Sequence, residues 1–364
     1  MKVIIAGGGT GGHVYPAIAI GQALTKIDSS VELLFIGAEG KLEMNKVPKA
    51  GFNIEGLDIR GFERKISFKN FKNLLKLNAS IRRSKKIIRS FNPDVVVGVG
   101  GYASGPPVYV AQKLKIPTLL LEQNSFPGIT NKLLGKKANK ICVAYNGMDQ
   151  FFEKSKILLS GNPVREDLAE LKVTYQEAID YFGLETNKKT ILLFGGSLGA
   201  RTLNDAVKWN HDLIAKNNDV QLIWQIGKLY EKDYLNCSTA KLSNIYPMTY
   251  IDRMDLAYRV ADLVICRAGA LTISELSLVK KPAIFVPSPN VSEDHQTKNA
   301  MALVDANAGF LVKDADASTA LFEEALVILN DEKRQNTLSQ SIAAFGMHSA
   351  STKIANEIMS LANA

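Results

Sequence analysis

Cysteine is scarce in this chain: three residues in 364, Cys142, Cys237 and Cys266, far apart and without a CxxC pair. That spacing excludes a zinc ribbon and a disulfide framework, and it fits a reducing cytosol. Long apolar runs are missing too, since none approaches the ~18 residues that a membrane-crossing helix needs. The opening run, Met1 to Ala6, is too short for a signal peptide and enters a glycine cluster at once. It reads as a buried first strand. Acids are nearly absent from one segment: between Arg60 and Arg89 stand eleven Lys and Arg against Glu63 alone. That segment carries +10 in a chain of net charge +8, which leaves −2 for everything else. Basicity confined to one place is a local device, not the composition of a nucleic-acid-binding protein, and no aromatic-rich RNA motif accompanies it.

What is present is ordinary for two globular domains: 364 residues, 46% hydrophobic and 22% charged, where a domain takes ~100–200 residues. A grammar of short apolar run, glycine loop and helix repeats along the chain. Val3–Ala6 runs into Gly7–Gly12, and Thr190–Phe194 runs into Gly195–Gly199. Further runs at Val31–Ile36, Val95–Val99, Thr118–Leu121, Gln221–Ile226, Leu263–Cys266 and Ala283–Val286 read as buried parallel strands. The pattern predicts an α/β protein of two Rossmann-like domains. The turn-rich Ser160-Gly161-Asn162-Pro163 marks the boundary between residues 1–162 and 163–345, and apolar residues Ile354, Ile358 and Leu361 predict a closing helix.

Glycines between strand and helix let backbone amides approach a ligand, and phosphate is the usual one. Gly7–Gly12, Gly100–Gly105 and Gly195–Gly199 all have this form. Each is equally a tight turn by itself. Gly7, Gly9 and Gly12 satisfy GxGxxG, but the acid expected at the end of the second strand for a dinucleotide is poorly placed, with Glu32 too early and Glu39 beyond the turn. Gly195-Gly196-Ser197-Leu198-Gly199 satisfies the serine-hydrolase GxSxG; His211 follows too soon and His295 and His348 remain as partners, but a duplicated architecture is not expected of a hydrolase. Thr272 and Glu275 have the spacing of a capping box, which leaves their role open between helix start and nucleotide contact.

In this order and spacing, GGGTGGHVYPAIAI, GVGGYASGP, LEQNSFPGITNK, GNPVR, GGSLGAR, CRAGALTISE and DHQTKNA resemble the family 28 glycosyltransferases. The likeness covers nearly the whole chain. It implies a GT-B fold, two Rossmann-like domains with parallel sheets facing across a cleft, with the last helix, 346–364, joining the first domain. It implies an inverting transfer of N-acetylglucosamine from UDP-N-acetylglucosamine to the C4 hydroxyl of undecaprenyl-linked lipid I, giving lipid II for peptidoglycan and cell-wall growth. No metal and no cofactor are implied.

By that resemblance the second domain holds the donor. Arg165 and the main chain of Ile251 meet uracil, Ser197 meets phosphate, and Ala270, Leu271, Thr272, Ile273, Ser274 and Glu275 wrap phosphates and ribose. Gln296 reads the sugar. Thr10, Gly11, Gly12 and Asn124 come from the first domain, where Gly100, Gly101, Tyr102 and Ser104 face the acceptor. Leu198 stands where members often carry glutamine, so it is not expected to contact ligand. The acceptor hydroxyl needs a base; His13, at the mouth of a glycine loop, and Glu122, after a strand, are the candidates.

A helix over 65–76 would place Lys65, Lys69, Lys72 and Lys76 on one face beside Phe68, Phe71 and Leu75. This is the pattern of an interfacial helix on anionic lipid, and a lipid-linked acceptor favours that reading over a solvated helix packed on its own domain. Together with this pattern, the resemblance implies a peripheral protein on the cytoplasmic face of the bacterial inner membrane. Another UDP-sugar transferase acting on a glycolipid, and an NAD-dependent oxidoreductase resting on Gly7–Gly12, remain the alternatives.

Overall fold

The computed structural model describes residues 1–61, 68–164, 168, 171–196 and 198–363. Two compact units divide the chain: Met1–Arg165 with Met347–Ala364, and Glu166–Gly346.

The first unit is built on seven strands: β1 Lys2–Ala6, β2 Glu32–Ala38, β3 Asn53–Leu57, β4 Val95–Gly98, β5 Thr118–Glu122, β6 Lys140–Val143 and β7 Ile157–Leu159. Their order is β3-β2-β1-β4-β5-β6-β7 and every pairing is parallel. Parallel strands covered on both faces must be apolar throughout. Side chains alternate between the faces. Ile4, Val96 and Leu120 face a core shared with Ile88 and Val108, whereas Val3, Ile5 and Val97 face Ile20, Leu24 and Ile354. The connecting helices are α1 Gly11–Ile27, α2 Glu43–Lys49, α3 Phe68–Phe91, α4 Gly105–Lys113 and α5 Ile129–Gly135. Strand β2 reaches past the expected Ile36 because Gly37 and Ala38 still pair with Gly56 and Leu57.

The second unit has six parallel strands: β8 Lys189–Phe194, β9 Val220–Gln225, β10 Ile245–Met248, β11 Leu263–Cys266, β12 Ala283–Phe285 and β13 Phe310–Leu311. Their order is β10-β9-β8-β11-β12-β13. Among its helices are α6 Arg201–Trp209, α7 Ala270–Val279 and α8 His295–Val304. The closing helix, α9 Ala350–Ala362, returns to the first unit, where Ile354, Ala355 and Ile358 are buried with Ile20 and Leu24 of α1.

Both sheets share one topological property. The chain walks outward from β1 to β3, then crosses back to β4 on the other side of β1; β8 and β11 repeat the move. The connections after these strands leave in opposite directions and open a crevice at the carboxyl ends, where open α/β sheets bind ligands. Three of the four bordering connections are the glycine loops Gly7–Gly12, Gly100–Gly105 and Gly195–Gly199; the fourth is Arg267–Gly269.

Candidate functional site

In the first unit the switch point brings His13 against the second glycine loop. Its Nδ1 is 3.0 Å from Thr10 Oγ1. Thr10 occupies the N-cap of α1, but its side chain does not cap the helix. A Cβ on Gly100 would lie 2.8 Å from His13 Cδ2, and one on Gly101 would lie 2.5 Å from the Gly8 carbonyl oxygen. Both residues have positive φ, +90° and +74°. Glycine is required at both positions twice over, by conformation and by the imidazole and backbone that face them. Gln123 anchors the same corner by donating from Nε2 to the Val99 carbonyl over 2.7 Å, and the buried Ser104 hydroxyl donates to the Gly101 carbonyl over 2.9 Å. The Tyr102 ring lies beside Gly9. Burial raises its hydroxyl pKa, the charge of Glu43 raises it further, and Arg60 opposes both.

Glu43, the first residue of α2, is 1% exposed. Its two oxygens accept from the Gly9 amide at 3.1 and 3.0 Å, and Oε1 accepts from the Ala38 amide at 2.9 Å. A Cβ on Gly8 would coincide with this carboxylate, and one on Gly37 would collide with its Cγ. The acid therefore lies directly beneath the first loop. A pyrophosphate using the Gly9 amide would meet a buried carboxylate already bonded there, so GxGxxG here is not a dinucleotide cradle. No sequence pattern pointed to Glu43. The usable signal was Gly37 at the end of β2, a gap beside Gly8 that only a neighbouring side chain could fill.

Glu122, at the end of β5, is buried. It accepts from the Asn124 amide (3.1 Å), Asn124 Nδ2 (3.2 Å), the Gly128 amide (3.1 Å) and Asn131 Nδ2 (2.8 Å). Burial pushes its pKa up, and these hydrogen bonds oppose the shift. With both oxygens engaged, it organises the 123–128 loop and so sets Asn124. Across α3–α5, which pack side by side, large apolar side chains face outward. Leu75 is 59% exposed, Ile129 62% and Leu133 66%. Lys65 lies outside the described residues, as do the side chains of Phe68, Lys69, Phe71 and Lys72. Lys76 is paired with Asp58 at 2.6 Å.

In the second unit, Gln225 at the end of β9 donates from Nε2 to the Gly196 carbonyl (2.8 Å) and accepts the Ile251 amide (3.2 Å). It ties the glycine loop to the Ile251 main chain. Ser197 and Arg165 lie outside the described residues. Leu198 is exposed. Arg267 donates to the Val286 and Pro287 carbonyls (2.9 and 3.2 Å) and pairs with Asp314, fixing the connection that leads into α7.

The capping box that the spacing of Thr272 and Glu275 allows does not form. Gly269 takes the extended N-cap conformation and Ala270 is already helical, which leaves Thr272 inside the first turn. Glu275 instead accepts from the Tyr258 hydroxyl at 2.9 Å. Ser274 donates to the Ala270 carbonyl at 3.0 Å. Among the described residues no side chain caps either α6 or α7, so both present open amides at the switch point, the positive end of the helix dipole. On the first turn of α8, Gln296 Oε1 accepts the Ser288 amide at 2.8 Å.

Among the described residues no group of three or more His, Cys, Asp and Glu is placed to hold a metal ion, and no helix is long and apolar enough to cross a membrane.

Residues 3–143 match the model of the glycosyltransferase family 28 N-terminal domain, and residues 190–357 match that of its C-terminal domain. A Flavobacterium psychrophilum protein is 50% identical over 360 residues, 99% of this chain and 97% of its own. A Bacteroides fragilis protein is 49% identical over 364 residues, covering 100% and 96%. Both are named UDP-N-acetylglucosamine–N-acetylmuramyl-(pentapeptide) pyrophosphoryl-undecaprenol N-acetylglucosamine transferase. Among solved structures, Acinetobacter baumannii MurG superposes with a TM-score of 0.76 at 25% identity, over 99% of each chain.

Proposed function

The chain belongs to glycosyltransferase family 28, and on that ground we propose that it transfers N-acetylglucosamine from UDP-N-acetylglucosamine to the C4 hydroxyl of a muramyl sugar linked through pyrophosphate to undecaprenol. The observation that carries the reading is the contrast between the two switch points. The second unit offers open amides at the starts of α6 and α7. The start of α1 in the first is uncapped as well, but its loop has an imidazole at the mouth and a buried carboxylate already on the Gly9 amide. A diphosphate suits the former and a neutral sugar hydroxyl the latter.

On this reading the second unit holds UDP-N-acetylglucosamine. Ala270 to Glu275 line phosphates and ribose, Ile251 and Arg165 lie by uracil, Ser197 by phosphate and Gln296 by the sugar. Thr10, Gly11, Gly12 and Asn124 of the first unit meet the sugar, and Gly100, Gly101, Tyr102 and Ser104 face the acceptor. His13 removes the proton from the acceptor hydroxyl as its oxygen attacks the anomeric carbon. The bond from that carbon to the UDP oxygen breaks on the opposite side, so the configuration inverts. Charge grows on the departing diphosphate, where the amides of α7 and the third glycine loop stabilise it. Thr10 supports the base: accepting a proton bond from Nδ1 leaves Nε2 as the proton acceptor. Glu122, with its oxygens spoken for, organises Asn124 and is not the base.

We further propose that the face formed by α3, α4 and α5 rests on the cytoplasmic surface of the inner membrane. Outward Leu75, Ile129 and Leu133 enter the lipid boundary, and the basic residues of α3 meet anionic headgroups.

The test is transfer of labelled N-acetylglucosamine from its UDP conjugate to a lipid I analogue in the presence of EDTA. Transfer is expected, with His13→Ala slowed by about 10²–10⁴-fold. No transfer, or equal use of a different UDP-sugar on another glycolipid, would overturn the assignment.

A further inference from the structure

The first glycine loop rests on an acid that takes no part in the transfer as derived above. Glu43 reaches back from the start of α2 and receives the Gly9 amide on both oxygens and the Ala38 amide on one. The cavity it fills exists because Gly8 and Gly37 have no side chains, since a Cβ on either would strike it. A carboxylate 1% exposed is costly to bury unless its hydrogen bonds are made, and here they are made to backbone amides. Gly9 is followed at once by Thr10, whose hydroxyl meets His13 Nδ1 at 3.0 Å. The ring beyond is lodged against Gly100 and Gly101, with a 2.8 Å approach to any Cβ on Gly100. A continuous line of short contacts thus runs from Glu43 through Gly9 and Thr10 to the imidazole.

We propose that Glu43 is a positioning residue for the transfer: it pins the Gly9 amide and through Thr10 fixes where His13 meets the acceptor hydroxyl. Resting on His13 as the base, this deepens the proposed function by naming what holds the base in place. The carboxylate replaces the phosphate that such a loop would otherwise take. In this chain the Gly9 end of the loop is therefore a rigid mount for a side chain.

The test is steady-state transfer kinetics on His13→Ala, Glu43→Gln, Glu43→Asp and the double variant His13→Ala/Glu43→Gln, each checked for folding by circular dichroism and thermal unfolding. Glutamine can keep one acceptor oxygen for the Gly9 and Ala38 amides but turns an NH2 toward the Gly9 amide where the second oxygen stood; aspartate falls short of both amides. Displacing a reacting group by about 1 Å can cost ~10²-fold. Glu43→Gln is expected to lower kcat at least tenfold, with a smaller change in KM for UDP-N-acetylglucosamine. In the His13→Ala background the same change should cost less than about twofold, because nothing is left to position. A full multiplicative loss in that background would show that Glu43 acts independently of His13 and would overturn the proposal. So would unchanged kcat in Glu43→Gln while His13→Ala is impaired. Full activity in His13→Ala itself would remove the base assignment instead, whatever Glu43→Gln does.

Discussion

The hydroxyl of Tyr258 donates to Glu275 Oε2 over 2.9 Å, from a side chain with no exposed surface that meets Phe194 edge-on. Glu275, which the sequence offered as half of a capping box, is thereby held by a phenol from a different helix. Tyr258→Phe removes that donor and leaves the packing. With Glu275 as a ribose contact, KM for UDP-N-acetylglucosamine should rise roughly fivefold, for a hydrogen bond worth about 1 kcal/mol. The value of kcat should change little. An unchanged KM, measured by initial rates, would separate Glu275 from the nucleotide.

Gly100 tests the lodging of the imidazole. Alanine there is strained by the +90° φ and strikes the ring. The conformational part costs about 1–2 kcal/mol. Urea unfolding of Gly100→Ala should show at least this loss, and kcat should fall. In a His13→Ala background the collision is relieved, so the same substitution should destabilise less. Equal losses in both backgrounds would mean that the ring yields freely.

Glu122 gives the chain a pH signature. Burial raises its pKa above the ordinary 4.5. The folded chain then holds this proton more firmly than the unfolded one. The resulting stability is fully present below about 4.5 and is lost as pH rises through the folded value. Unfolding free energies measured from about pH 4 to about pH 8 should therefore fall more steeply for the native chain than for Glu122→Gln, which has no proton to lose. Parallel curves would remove the contribution. Glutamine cannot offer two acceptor oxygens to four N–H groups, so the variant should also be about 1–3 kcal/mol less stable at low pH.

Leu75 and Leu133 address the membrane. Leu75→Glu/Leu133→Glu places two acids on an outward apolar face and should weaken co-sedimentation with anionic vesicles at least tenfold. Turnover of a water-soluble acceptor analogue should be unaffected. Added salt should weaken binding of the unmodified chain, at about 1 kcal/mol per engaged Lys or Arg. Binding indifferent to both changes would leave this face without a lipid partner.

The strands were legible because parallel strands buried on both sides must be continuous apolar runs, as Val95-Val96-Val97 is. The glycine loops were legible as glycine clusters at the strand ends, but that they border the switch points needed the strand order. What stayed hidden depends on partners distant in sequence. Glu43 and Gly9 are 34 residues apart, and nothing local to either marks the pair. Lys76 reads as a free cation until Asp58 is placed beside it. The capping-box reading of Thr272 and Glu275 did not hold, for a different reason. A capping box needs its threonine in extended backbone, and Gly269 had taken that conformation three residues earlier. Motif spacing alone left the site residues undecided between turn and ligand contact, and the ligand roles proposed for them rest on the likeness to family 28.

Helix α9 is made after the whole of Glu166–Gly346, yet it completes the first unit by covering Ile20 and Leu24. At ~5–20 residues per second, synthesis leaves that apolar surface bare for on the order of 10 s or more. During translation the later unit is therefore free to close its own core while the earlier one still waits for Ile354 and Ile358. The nascent first unit is a natural client for a chaperone at the ribosome, and the order in which the units mature is the reverse of the order in which they are written.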